Sequence, residues 1–125
     1  MKIEHLAIWV SDLEKMRAFY ETYFAASSNK VYTNEKKGFS SYFLSFKEGA
    51  RLEIMTQKEI STGSREGLGL AHFAISLGSE ERVDQLTEQL RRDGFAIKGN
   101  PRTTGDDYYE SVVEDPEGNL IELTV

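Results

Sequence analysis

From Ile3 to Val10 the chain alternates, with His5, Ala7 and Trp9 on one side and the more apolar Leu6, Ile8 and Val10 on the other. A period of two marks a half-buried strand. Ser11-Asp12-Leu13-Glu14 follows with the spacing of a capping box, and Leu13, Met16, Tyr20, Tyr23 and Phe24 then fall at helical intervals. Together they predict a helix lying over the Leu6/Ile8/Val10 face. The polar stretch from Ala25 to Phe39 holds one short strand, expected over Lys30–Thr33, and a solvated charged loop over Asn34–Lys37. Ser41–Phe46 and Arg51–Thr56 predict a hairpin turning at Glu48-Gly49, in which Glu53 points away from Leu52 and Ile54.

The plan then returns. His72, Ala74 and Ser76 alternate against Phe73, Ile75 and Leu77, and a helix capped by Ser79 carries Val83, Leu86 and Leu90. Arg91 and Arg92 suit the negative end of that helix and Gly94 its stop. Gly99–Asp107 reads as a glycine- and aspartate-rich loop before strands over Tyr108–Glu114 and Leu120–Val125, whose turn is shaped by Pro116 and Gly118. The two halves are a repeat: IEHLAIWV aligns with LAHFAISL, and KEGARLEIMT with PEGNLIELTV. The pattern predicts an α+β protein with one module over about 1–57, a glycine-containing linker over about 58–69 and a second module over about 70–125. At 125 residues neither half is large enough for an independent core, so the expectation is a single domain, 1–125.

Composition narrows the functions. Fifteen basic against 21 acidic residues give a net charge of −6, which disfavours a phosphate backbone, so no nucleic-acid partner is expected. No apolar run approaches the roughly 20 residues of a membrane span, and the N-terminus alternates instead of forming a leader core, so no membrane partner and a cytoplasmic location are expected. Cysteine is absent, which leaves nitrogen and oxygen as the donors for any metal.

The chain has two histidines, His5 and His72, at equivalent places of the repeat, 67 positions apart, and Glu53 and Glu122 stand 69 apart at equivalent places near the end of each half. Within a half, 48 and 50 residues separate His from Glu. Strand parity puts all four on the faces opposite those that meet the helices. A lone histidine is more often satisfied by a backbone carbonyl, and a lone strand glutamate by solvent, but the doubled pairing points to metal ligation. A His2Glu2 set suits a divalent ion, Zn or Ni foremost, Co or Mn also, with room for water if six-coordinate. Tyr20, Tyr23 and Phe24 read as helix-packing residues. Trp9, on the His5 face, lines a substrate pocket or packs in the core. Arg51 and Met55 flank Glu53 on the same face, and Arg51 either orients a substrate anion or sits at the rim; Trp9, Arg51, Met55 and Gln57 are the candidate substrate contacts.

EDPEGNLIEL at Glu114–Leu123 is close to a D-P-x-G-N-x-x-E signature, and with IEHLAIWVSDLEKMRAFY it resembles the vicinal oxygen chelate superfamily, which includes glyoxalase I, extradiol dioxygenases and drug-resistance proteins. The likeness covers nearly the whole chain and implies two βαβββ modules forming an open barrel-like cleft around a metal, in a homodimer. The order His, Glu, His, Glu most resembles glyoxalase I. It implies that His5, Glu53, His72 and Glu122 are the ligands and that Glu122 leaves or loosens from the metal to take the proton beside a carbonyl, through a metal-bound enediolate, with Glu53 as its counterpart. Glutathione-using members commonly carry Arg four residues after the first His and Asn four after the first Glu, whereas this chain has Trp9 and Gln57. The expected activity is therefore a glyoxalase-like lyase or isomerase acting on a small molecule, lactoylglutathione lyase being one form. The alternatives are an iron-dependent extradiol dioxygenase using His5, His72 and Glu122, and a non-catalytic drug-binding protein.

Overall fold

The computed structural model describes residues 2–60, 69–105 and 107–125. It divides into two compact units, residues 1–62 and 63–125. The connector expected over 58–69 falls largely on 61–68, outside the described residues.

The first unit runs β1 (His5–Trp9), α1 (Leu13–Phe24), β2 (Ser27–Ser28), β3 (Tyr32–Asn34), β4 (Phe39–Ser45) and β5 (Arg51–Gln57). Its sheet has the order β1-β5-β4-β2, with β3 also on β4. β1 lies parallel to β5, His5 opposite Arg51 and Ala7 opposite Glu53, while β4 and β5 form the expected antiparallel hairpin. Parity decides burial as the alternation predicted. Ile8, Val10, Leu52 and Ile54 are buried on one face, together with Tyr42 and Leu44, and α1 contributes Met16, Phe19 and Tyr20. Each such side chain removed from water stabilises the fold by about 1.5–3 kcal/mol. Phe19 completes the helix stripe that the sequence reading traced through Met16 and Tyr20.

The start of α1 differs from the expected capping box. Asp12, not Ser11, is the cap and accepts from the Lys15 backbone N–H at 2.9 Å. Glu14 is drawn elsewhere: it accepts the Tyr42 hydroxyl at 2.6 Å and pairs with Arg17 at 2.8 Å. Those bonds, Tyr42 first, hold the Glu14 carboxyl below the usual carboxylate range, and the bond to Glu14 pushes the Tyr42 hydroxyl up.

α1 ends at Ala25, held left-handed at φ 50°, with its N–H and that of Ala26 both directed at the Tyr20 carbonyl. An alanine there sustains a Cβ clash with the following carbonyl that glycine lacks. Ala25→Gly is expected to stabilise the protein by about 0.5–1 kcal/mol. A urea midpoint that stays put or falls would contradict this account of the helix end.

The second unit runs β6 (Phe73–Ser76), α2 (Glu80–Arg92), β7 (Ile97–Thr103), β8 (Tyr109–Glu114) and β9 (Leu120–Thr124), in the sheet order β6-β9-β8-β7. β6 is parallel to β9 as β1 is to β5, and the repeat extends to single bonds. The Val10 N–H reaches the Met55 carbonyl at 2.7 Å, and the matching Leu77 N–H reaches Thr124 at 2.7 Å. Ser79 caps α2 as expected, accepting from Arg82 N–H. At its end Gly94, at φ 90°, lets its own N–H reach the Arg91 carbonyl and that of Phe95 reach Leu90, a Schellman closure.

α2 buries Val83, Leu86, Leu90 and also Thr87. The Thr87 hydroxyl bonds the Val83 carbonyl at 2.6 Å and the buried Ser111 hydroxyl of β8 at 2.7 Å, so neither polar group is left unpaired in the core. The loop expected over Gly99–Asp107 is in fact half strand: β7 extends to Thr103. It is one edge of the sheet, and its ladder with β8 shifts register between Ile97 and Gly99 and again before Arg102. Gly99 and Pro101 are tolerated there because bulges and edges do not require every backbone donor.

Candidate functional site

In the first unit the face of the sheet opposite α1 carries His5, Ala7 and Trp9 of β1, Arg51, Glu53 and Met55 of β5, and Phe43 of β4, whose register partner is Glu53. His5 Nε2 lies 3.9 Å from Glu53 Oε2. The glutamate is largely enclosed, its side chain 13% exposed, while the imidazole is 40% exposed. In the second unit His72, one residue ahead of β6, places Nε2 3.2 Å from Glu122 Oε1, with that carboxylate 22% exposed. Each unit thus joins its histidine to its glutamate across the parallel strand pair. Within each unit the described residues form a pair and no cluster of three or more potential ligands.

Two donors of one ion, each at about 2.1 Å and separated by 90–110°, stand about 3.0–3.4 Å apart. The His72–Glu122 pair meets that spacing. The His5–Glu53 pair, at 3.9 Å, exceeds it by about half an ångström. The donor set, imidazole nitrogen with carboxylate oxygen, fits a divalent cation.

Around His5 the structure adds a third group, Glu4. Glu4 accepts from His5 Nδ1 at 2.5 Å and from Arg51 Nε at 2.8 Å, and its carboxylate also meets the other end of that guanidinium. His5 first, and then Arg51, hold the Glu4 carboxyl below its ordinary range. Arg51 lies 4.2 Å above the Phe43 ring, and Phe43 meets the His5 ring edge to face at 5.2 Å. The Arg51 guanidinium, one of the expected substrate contacts, is therefore engaged by Glu4 and Phe43. The other three expected contacts fall in one region. Trp9 is 48% exposed, Met55 is its register partner, and Trp9 and Gln57 line a depression of about 410 Å³ with Glu59 and Ile60.

In the second unit Glu122 is set by the turn before β9. Asp115, 4% exposed, accepts the backbone N–H groups of Glu117 and Asn119, each at 2.9 Å, and the Asn119 side-chain amide at 2.7 Å, while Gly118 supplies φ 78°. The D-P-x-G-N segment is thus a rigid turn that fixes the register in which Glu122 stands opposite Ala74 and Val112.

The family model described as Glyoxalase/Bleomycin resistance protein/Dioxygenase superfamily matches residues 2–123. The chain belongs to this superfamily. Among relatives of this glyoxalase-superfamily protein is the uncharacterized protein YqjT of Bacillus subtilis, 31% identical, the match covering 97% of this chain and 96% of that one. A probable trivalent organoarsenical cleaving enzyme of the same organism is 28% identical over 95% of this chain and 76% of its own length. A possible glyoxalase from Bacillus cereus has a similar structure, with TM-score 0.75 and 29% identity over 100% of this chain and 99% of that one. Glyoxalase I from Zea mays superposes with TM-score 0.81 at 21% identity, a likeness of fold; the alignment covers 98% of this chain, which spans 44% of the maize protein. The α+β class and the two strand-helix-strand modules expected from the repeat are those of the superfamily fold.

Proposed function

We propose that this protein is a divalent-metal-dependent lyase or isomerase of the glyoxalase I kind, moving a proton at the carbon beside a carbonyl of a small molecule. The observation that carries the reading is the doubled pair: each half turns a histidine Nε2 toward a glutamate on its open sheet face. His5, Glu53, His72 and Glu122 are the proposed ligands, the two pairs supplied by one chain or by two copies in a homodimer. Zn or Ni is the first choice of ion, Co or Mn the next, and the cytoplasm the proposed setting.

When bound, the ion would supply Lewis-acid stabilisation of the negative charge that develops on oxygen as the proton leaves carbon. The chain's own residues do the rest. Glu122 takes that proton and returns it to the neighbouring carbon, a short transfer that one carboxylate can serve in both directions. Glu53, the more enclosed of the two, stays as its counterpart. Trp9 offers a flat apolar wall and Gln57 an amide to the non-reacting part of the substrate, with Met55 beside them. Arg51 is the remaining substrate-facing candidate if Glu4 releases it.

The activity named for the arsenical relative is not carried over. A soft trivalent centre calls for thiolate, and these 125 residues contain no cysteine.

The test begins with elemental analysis, which should find about one ion per His2Glu2 set. Chelator-stripped protein should regain turnover on Ni or Zn. The hemithioacetal of methylglyoxal and glutathione is the first substrate, followed by other thiol–aldehyde adducts and 2-oxo thioesters, with solvent deuterium entering product at the carbon beside the carbonyl. Protein that retains no metal while folded points to a binding protein, and oxygen uptake by the ferrous form points to a dioxygenase. Either result removes the proposal.

A further inference from the structure

The two histidines are not equivalent. His5 is preceded by Glu4, which holds its Nδ1, but the repeat places Ala71 ahead of His72. Arg51, which grips Glu4 from β5, corresponds to Leu120, and Phe43, against which the His5 ring rests, corresponds to Val112 opposite Glu122. All three parts of the support around His5 are thus missing at their matching places, as expected of one device present in one half.

We propose that Glu4 is a positioning residue that sets His5 as a metal ligand before any metal arrives, making the first half the fixed side of the site and the second half the adjustable one. This rests on the metal reading above. A carboxylate is an acceptor only, so its bond to Nδ1 places the ring proton there and leaves the Nε2 lone pair open toward Glu53. A second carboxylate behind a ligating imidazole fixes its tautomer and orientation and raises its basicity. Arg51 keeps the carboxylate in place: its Nε–H at 2.8 Å and its stacking on Phe43 fix the guanidinium, which in turn fixes Glu4. Phe43 limits rotation of the ring from the other side. The half without these parts contains Glu122, the proposed base.

The experiment uses the whole chain with 15N-labelled histidine, where two residues give two sets of ring signals. In metal-free wild-type protein at neutral pH, His5 should show the Nδ1–H form. Glu4→Ala should shift it toward Nε2–H and leave His72 where it was, whereas Glu4→Gln, which keeps an acceptor oxygen, should restore most of the wild-type pattern. Zinc titrations against a competing chelator should then show Glu4→Ala weakened about tenfold to a hundredfold and Glu4→Gln recovering much of the loss. Circular dichroism on each variant separates this from unfolding, and a misfolded Glu4→Ala leaves Arg51→Leu, expected to give a smaller shift in the same direction. Unchanged His5 signals in folded Glu4→Ala, or zinc affinity within twofold of wild type, would overturn the proposal. Wild-type protein that takes up no zinc overturns it too, together with the metal reading. That failure is told apart because the tautomer spectra are recorded without metal.

Discussion

Replacing Glu122 by glutamine is expected to lower kcat by about 10²–10⁴-fold in the metal-loaded protein, the range typical for loss of a general base. Glutamine is nearly isosteric and its carbonyl oxygen can still face His72, 3.2 Å away in the native protein, so the fold and most of the metal should survive. KM should change little, because the loss falls on the transition state. His72→Ala should behave differently. The imidazole is 45% exposed and precedes the β6 ladder, so removing it costs little stability, yet most of the bound metal should be lost. The distinction is read by measuring kcat, KM and metal content on the same preparations. Turnover of Glu122→Gln within a few-fold of wild type would remove Glu122 as the base, and a metal-replete His72→Ala would remove the ligand set.

The second large effect is on stability. Asp115→Ala should destabilise the protein by about 3 kcal/mol, since three donors lose a buried, charged acceptor together. For a chain of this size that corresponds to a melting temperature lower by about 10 °C. Asp115→Asn, which keeps an oxygen for the two backbone N–H groups, should lose much less. The Asp115 turn sits seven residues before Glu122, so activity of the alanine variant below its melting point should fall more than its folded fraction does. Equal melting curves for Asp115→Ala and wild type would show that the turn is held by its backbone and not by this side chain.

Both expectations draw on features that were open to inspection in the sequence. Alternation assigned the Glu53 and Glu122 faces correctly because each lies inside a strand between apolar residues that must be buried, and His5, at the start of β1, follows from the alternation that buries Ile8 and Val10. Other features escaped for physical reasons. Ser11 and Asp12 are both competent caps, and the choice fell to Asp12 while Glu14 was recruited by Tyr42, 28 residues away, a contact no local pattern contains. β7 was hidden by Gly99 and Pro101, which oppose a central strand but not a bulged edge. Thr87 broke an apolar helix stripe, and its acceptability depends on Ser111 waiting in the sheet. Glu4 was passed over because strict parity sends it to the side opposite His5. β1 begins only at His5, so parity does not bind the residue before it.

The parallel pairings of β1 with β5 and of β6 with β9 carry a kinetic implication. His5 pairs with Arg51 across 46 positions and Phe73 with Ile121 across 48, the most widely separated strand pairings of each unit among the described residues. Contacts so remote along the polypeptide are entropically slow to establish, whereas helices and hairpins form locally and early. Each imidazole therefore acquires its carboxylate neighbour only when its module's first strand docks beside the last. A nascent chain short of residue 53 has neither His–Glu pair and one short of residue 122 has only the first, so the proposed ligand set is complete only after β9 has been made.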